Sequence, residues 1–243
     1  MSDNYCFYFI LSGTDFSSAY MFMYVCSTVL FYRTAEAIYN GVMGKIYITR
    51  HGETFLNTRD CFQGAADDPS TYLTERGKQQ AGLLAKRMED IPLDLILSSP
   101  LKRAIDTAEI IRRERDIPLL IENGLLERRL GVWEGRTHSS VREELGMSKE
   151  DWKKGVKTVP EGGESEEELL IRAQRDFQRI ADTYIDKDIL LVTHCVILQP
   201  IFAYIKKEPV EPMVFAPQAS LSLCEYDGKD FTLLYEADTS HIK

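Results

Sequence analysis

The chain has no surplus of basic charge. Its 29 Lys and Arg stand against 38 Asp and Glu, a formal net charge of −9. That balance excludes a broad nucleic-acid-binding face, which needs clustered positive charge. It leaves room for a locally positive cleft, because a cleft focuses the field of its own residues. Cysteine pairing is also missing. The five cysteines (Cys6, Cys26, Cys61, Cys195 and Cys224) are odd in number and form no Cys-x-x-Cys pair. This argues against a disulfide framework or a structural zinc, and for a reducing, cytoplasmic compartment. No cluster of carboxylates offers a metal site, and no repeat or low-complexity tract occurs. Long apolar runs are absent too. The longest near the start, residues 19–32, is broken by Ser27 and Thr28. A spanning helix needs about 20 apolar residues. A signal peptide needs a basic leader, yet Asp3 is the only charge before Asp15.

Residues 1–42 differ in character from the rest of the chain. Their two apolar runs, 5–11 and 19–32, flank a polar stretch that includes Ser12, Gly13, Asp15 and Ser18. Two readings are favoured. The segment is a helical appendage packing on the domain, or it is no working part of it, since Met43 offers a second start. Membrane contact through residues 5–32 is the less favoured reading, on the length rule. The expected division is an extension, 1–42, and one domain, 43–243, a length suited to a single core.

Residues 46–49 (Ile46, Tyr47, Ile48, Thr49) are β-branched or aromatic and read as a strand. It runs into Arg50, His51 and Gly52. Thr74 then caps a helix over 75–90, where Ala81, Leu84, Ala85 and Met88 recur at helical spacing. A strand at 93–97 ends in Ser98, Ser99 and Pro100. Ser99 is the expected N-cap of the next helix and Pro100 its first residue, which puts Arg103 in the first turn. A short strand at 118–121 and helical stretches around 139–145 and 148–154 come next. Ser165 and Glu168 form a capping-box pattern opening a helix to about 184. The uncharged strand 189–193 runs into His194 and Cys195. Another helix and a hairpin around Asp227 and Gly228 close the chain.

Strands alternating with amphipathic helices indicate an α/β sandwich with a mostly parallel sheet. In such a sheet the carboxyl ends of the strands share one edge, where ligands bind. Arg50 and His51, Arg103, and His194 each follow a different strand. Two arginines and two histidines meeting there suit a dianion: a phosphate carries about −1.5 to −2 charge at neutral pH, and each guanidinium can bind it through paired hydrogen bonds.

These residues also carry a family pattern. Arg50, His51, Gly52, Glu53 and Thr54 with Asn57 resemble the signature of the histidine phosphatase superfamily, the phosphoglycerate-mutase-like fold. The series continues through Leu73–Gly77, Ser98–Ala104 with Thr107 and Ala108, Leu126 and Glu127, Gly131–Gly135, Pro160–Ser165 and Leu191–His194. The resemblance covers about residues 45–243. It implies a three-layer α/β sandwich and, by motif position, roles for individual residues. His51 is the expected nucleophile, becoming a phosphohistidine. Arg50, Arg103 and His194 bind the phosphoryl oxygens. Glu127 protonates the leaving oxygen and then activates water, and Asn57 lines the phosphate pocket. No metal or other cofactor is expected. Cys195 departs from the family's usual small residue after the second histidine, which raises the idea of oxidation sensitivity.

The family contains hydrolases and mutases. Only 36 residues, 128–163, separate Glu127 from Glu164. A short lid admits water, so hydrolysis is expected over transfer back to substrate. The expectation is a metal-independent phosphomonoesterase acting on a small phosphorylated metabolite, possible sugar phosphates among them. Mutase activity and a non-catalytic phosphate-binding regulatory role are the alternatives. Glu53, His138, His241, Trp133 and Trp152 read as structural, and residues 164–168 as a solvated helix start favoured by the helix dipole.

Overall fold

The computed structural model describes residues 43–211 and 215–242; the expectations for 1–42 lie outside them. Six strands form one sheet: β1 (Gly44–Arg50), β2 (Leu95–Ser98), β3 (Leu119–Ile121), β4 (Ile189–Thr193), β5 (Leu221–Tyr226) and β6 (Phe231–Asp238). Their order is β3-β2-β4-β1-β5-β6. The β3, β2, β4 and β1 strands are parallel; β5 and β6 are antiparallel to their neighbours. All five residues of β4 are buried, as its lack of charge requires for a strand covered on both faces.

Seven helices accompany the sheet among the described residues: α1 (Phe55–Thr58), α2 (Glu75–Arg87), α3 (Lys102–Arg112), α4 (His138–Glu144), α5 (Lys149–Lys153), α6 (Glu166–Thr183) and α7 (Cys195–Lys206). Strand side chains alternate between faces, and the core divides accordingly. Tyr47, Ile96, Leu190 and Val192 pack with Leu84, Met88, Ala104 and Ile111 of α2 and α3 and the turn after α2. Ile46, Ile48, Leu97 and Leu191 pack with Phe177, Ile180, Ile197 and Ile201 of α6 and α7. The result is the three-layer sandwich. A third small cluster, Leu130, Trp133 and Val141, with Phe62 and Trp152 against it, gives the loops above the sheet a core of their own.

Several boundaries differ from the sequence reading. Helix α2 stops at Arg87, before Asp90. Helix α3 starts at Lys102 behind Leu101, which has no side-chain cap. Ser99 is therefore not its N-cap, and Pro100 stands outside the helix. The serine hydroxyl lies 2.6 Å from His194 Nε2 and takes a long, 3.4 Å bond from the Leu101 amide. The closing hairpin uses a four-residue connection, with Tyr226 opposite Phe231. There the Asp227 carboxylate accepts the amides of Lys229 and Asp230, and Gly228 takes a φ of 88°.

Candidate active site

The site is built at the carboxyl ends of three adjacent strands. Strand β4 lies between β1 and β2. The amide of His51 donates to Thr193 O at 3.0 Å, and that of Ser99 to Val192 O at 3.0 Å. The exits of β1 and β2 are thus laced to the exit of β4, and His51, Ser99 and His194 come together there. The rings of His51 and His194 lie 5.2 Å apart, centroid to centroid. Gly52 permits this turn because its backbone presses on α2: a Cβ there would stand 2.4 Å from the carbonyl oxygen of Gly77. The Gly52 amide donates to Thr107 Oγ1 at 3.1 Å.

Both histidines are buried. Burial, then the charges of Arg103 and Arg50, hold His51 well below its ordinary pKa. His194 is lowered by burial, Arg103, His51 and Arg50, in that order. Both rings are neutral at pH 7. His51 Nδ1 lies 2.7 Å from the carbonyl oxygen of Gly52. A carbonyl only accepts, so Nδ1 carries the proton and Nε2 keeps its lone pair.

Arg50 donates from Nη1 to Ala216 O at 2.7 Å. Arg103, completely buried, donates from Nη1 to Ala66 O and from Nη2 to Gly64 O, at 2.9 and 2.7 Å. Burial pushes Arg103 down to about 10, which leaves it charged at neutral pH. Among the described residues, Arg50 Nε, Arg103 Nε and His194 Nδ1 are buried without a hydrogen-bond partner. An unpaired buried polar group is costly, and three around one histidine pair fit an acceptor-rich ligand.

Glu127 is buried against the first turn of α7. Its Oε1 accepts the amides of Arg128 and Ile197, and its Oε2 that of Val196, at 2.9–3.0 Å. Glu127 is thereby fixed beside the turn that carries His194. Its Oε2, holding one amide, is the oxygen with a free position for a proton. Asn57 is 3 residues beyond Thr54; its Oδ1 accepts the Thr54 amide and the Thr54 hydroxyl accepts the Asn57 backbone amide, a capping box for α1. Its carbonyl oxygen shapes the loop, and its amide nitrogen is left to serve as a donor.

Several residues of this framework escaped the sequence reading. Ser99 Oγ is 2.6 Å from His194 Nε2. Glu134 Oε1 accepts the amides of Ala65 and Leu130, tying the 59–72 loop, which holds Arg103, to the acid loop. Glu164 corrects the solvated-helix-start reading. It is 2% exposed, and it grips Arg172 through Nε and Nη2 at 2.8 and 3.0 Å. Glu166, Glu167 and Glu168 are exposed as expected. A signal existed for Ser99 and Glu134, which lie inside the motifs, but a residue type alone does not reveal its partner. The structural readings of Trp133 and Glu53 hold: Trp133 is in the loop core and Glu53 accepts the Thr74 hydroxyl. His138 packs on Phe62 and bonds Asp60, and His241 bonds Ala219 O. Burial pushes the Cys195 thiol up to about 11. The oxidisable form is the thiolate, so this environment weighs against a redox-sensitive Cys195.

A parallel sheet whose strand ends gather two guanidiniums, two neutral imidazoles and a carboxylate defines an α/β enzyme site for an oxyanion. The model of the histidine phosphatase superfamily (branch 1) matches residues 46–239, and the chain belongs to that superfamily. It is 31% identical over 170 residues to an adenosylcobalamin/alpha-ribazole phosphatase of Escherichia coli K12, covering 70% of this chain and 82% of the relative. It is 31% identical over 206 residues to phosphoglycerate mutase-like protein 4 of Arabidopsis thaliana, covering 82% and 87%. Among solved structures, Bacillus stearothermophilus YhfR superposes with a TM-score of 0.74 at 36% identity, covering 82% of this chain and 100% of that one. The chain is a phosphatase of this superfamily. No helix among the described residues is long and apolar enough to cross a membrane.

Proposed function

We propose that the protein is a metal-independent phosphomonoesterase that works through a phosphohistidine on a small phosphorylated metabolite. The observation that carries this reading is the free Nε2 of a neutral His51 beside three unpartnered buried nitrogens. Nε2 attacks phosphorus in line; the P–Nε2 bond forms as the ester P–O bond breaks, and Glu127 gives its proton to the leaving oxygen. Water then attacks the phosphohistidine, Glu127 takes the proton, and His51 and phosphate are released. Covalent catalysis divides one hard step into two. Arg50, Arg103, His194 and the Asn57 amide hold the three phosphoryl oxygens, and fixed donors of this kind lower the barrier because they need no reorganisation.

Hydrolysis is favoured over mutase transfer on the expectation that the short, 36-residue span 128–163 admits water. The names of the relatives, phosphatases and mutase-like proteins alike, agree with a phosphorylated small molecule as substrate. Residues 43–243 form the working domain. Three free cysteines among the described residues accord with the cytoplasm.

The test is phosphate release from a panel of phosphomonoesters without added metal. Native protein is expected to turn over and His51→Ala not to. Glu127→Gln is expected to lose about 10²–10⁴-fold in kcat, the range for a general acid. Turnover by His51→Ala at the native rate would sink the covalent reading, and phosphoglycerate isomerisation faster than phosphate release would reverse the order of hydrolase and mutase.

A further inference from the structure

Ser99 and His194 are both completely buried, and Ser99 Oγ stands 2.6 Å from His194 Nε2. One proton sits in that bond, and two arrangements are conceivable. In the first, His194 Nε2–H donates to the hydroxyl. The serine proton then has no acceptor in contact, and Nδ1 turns a bare lone pair towards whatever fills the site. In the second, the serine donates to Nε2. The weak 3.4 Å donation from the Leu101 amide to Ser99 Oγ then complements it, and Nδ1 carries the proton. Only the second leaves no buried hydroxyl proton unpaired, the costly state. It also turns Nδ1, the ring nitrogen without a partner, into a donor.

We propose that Ser99 is a positioning residue that locks neutral His194 as the Nδ1–H tautomer, so that the ring donates a hydrogen bond to a phosphoryl oxygen. A bare nitrogen in the same place would set a lone pair against the oxygen's own. The lock matters because the ring is neutral in the free protein. A charged imidazole would donate from both nitrogens, but one hemmed in by Arg50 and Arg103 has only one proton to place.

The inference rests on the phosphoryl-binding role given to His194, and its test is read in the unreacted full-length protein. Imidazole nitrogens with and without a proton resonate far apart in 15N spectra of histidine-labelled protein, and His194→Ala identifies the His194 signals by their loss. Native His194 is expected to be neutral and protonated at Nδ1; protonation at Nε2 would overturn the proposal. Ser99→Ala is expected to release the ring towards the Nε2–H form. It should weaken inorganic phosphate binding and kcat by about 10- to 100-fold, less than deleting an oxyanion donor outright. Added to His194→Ala, the same substitution should cost nothing further, because Ser99 acts through that ring. Native phosphate affinity in Ser99→Ala, or additive losses in the cycle, would also overturn it. If Ser99→Ala does not fold, the native tautomer decides alone. Should His51→Ala keep its turnover, the phosphohistidine reading fails while the tautomer is still read independently.

Discussion

His51 and His194 are neutral rings placed among fixed positive charge, and that has a measurable consequence for stability. Unfolded imidazoles take up protons near pH 6.5, whereas these two take them up only well below it. Between those values the unfolded chain binds more protons. Stability is therefore fully present above 6.5 and falls as the pH drops from 6.5 through the folded values, by up to about 1.4 kcal/mol per pH unit for each ring. Urea unfolding at about pH 7.5 and about pH 5.5, either side of the unfolded value, checks this. Native protein is expected to lose more stability on acidification than His194→Gln, which has one such ring fewer; equal losses would contradict it. The positive charges left at the site are then the two guanidiniums, a match for a phosphate dianion. At this scale the sequence was most legible in which residues meet: the strand-end positions of His51, Arg50, Arg103 and His194 followed from the strand pattern, and the roles proposed for them and for Glu127 follow from motif position. Ser99, Glu134 and the depth of Glu164 could not be read, because each depends on a partner that a residue type does not name: His194 for Ser99, Ala65 for Glu134 and Arg172 for Glu164.

The acid loop is held from behind by one buried element. Arg172, on α6, grips both oxygens of Glu164 and donates from Nη1 to Leu126 O, one residue before Glu127. Arg128 Nε adds a bond to Glu164 O. Burial would raise the Glu164 carboxyl, but its hydrogen bonds and ion pair with Arg172 outweigh that and hold it below its usual value. Removing one partner of a buried pair strands the other charge, so Arg172→Leu is expected to cost about 3–5 kcal/mol in urea unfolding. It should also lower kcat more than it raises KM, since the acid and not the phosphate cradle is loosened. A stability loss under about 1 kcal/mol would mean that water already satisfies Glu164. Element identities were legible because periodicity and caps are local: Thr74 and Ser165 cap α2 and α6 as the sequence indicated. The start of α3 was not: it begins at Lys102, behind Leu101, without a side-chain cap, although serine and proline just before it are the local signals for an earlier start. Ser165→Ala isolates a local contribution and is expected to cost about 1 kcal/mol, the usual loss for an N-cap. Thermal unfolding would measure it, and activity at saturating substrate should stay native.

On the scale of the molecule, a chain of net charge −9 places two buried arginines at the carboxyl ends of the parallel strands of a mixed sheet. Alternating apolar strands and amphipathic helices made the three layers legible. The strand order was not, because β4 enters between β1 and β2 only after β3 and the loop layer have been traversed. That insertion brings His194 to His51, so sheet and site form together. Every element with a role in the proposed reaction falls within residues 43–211 and 215–242, and the family match begins at residue 46. Strand β1 is paired on both sides from its first residues: Gly44 stands opposite Tyr226, and Ile46 opposite Ile189 and Cys224. The Lys45 amide is held by Asp188 at 3.1 Å. A strand anchored this way has its partners within the domain itself. A chain beginning at Met43 is therefore expected to fold, to melt within a few degrees of the full-length protein, and to release phosphate with an unchanged kcat/KM. Side-by-side thermal unfolding and phosphate-release assays of the two chains provide the check. A truncated chain that aggregates, or that folds but loses activity, would make residues 1–42 a working part of the enzyme and refute the division at Met43.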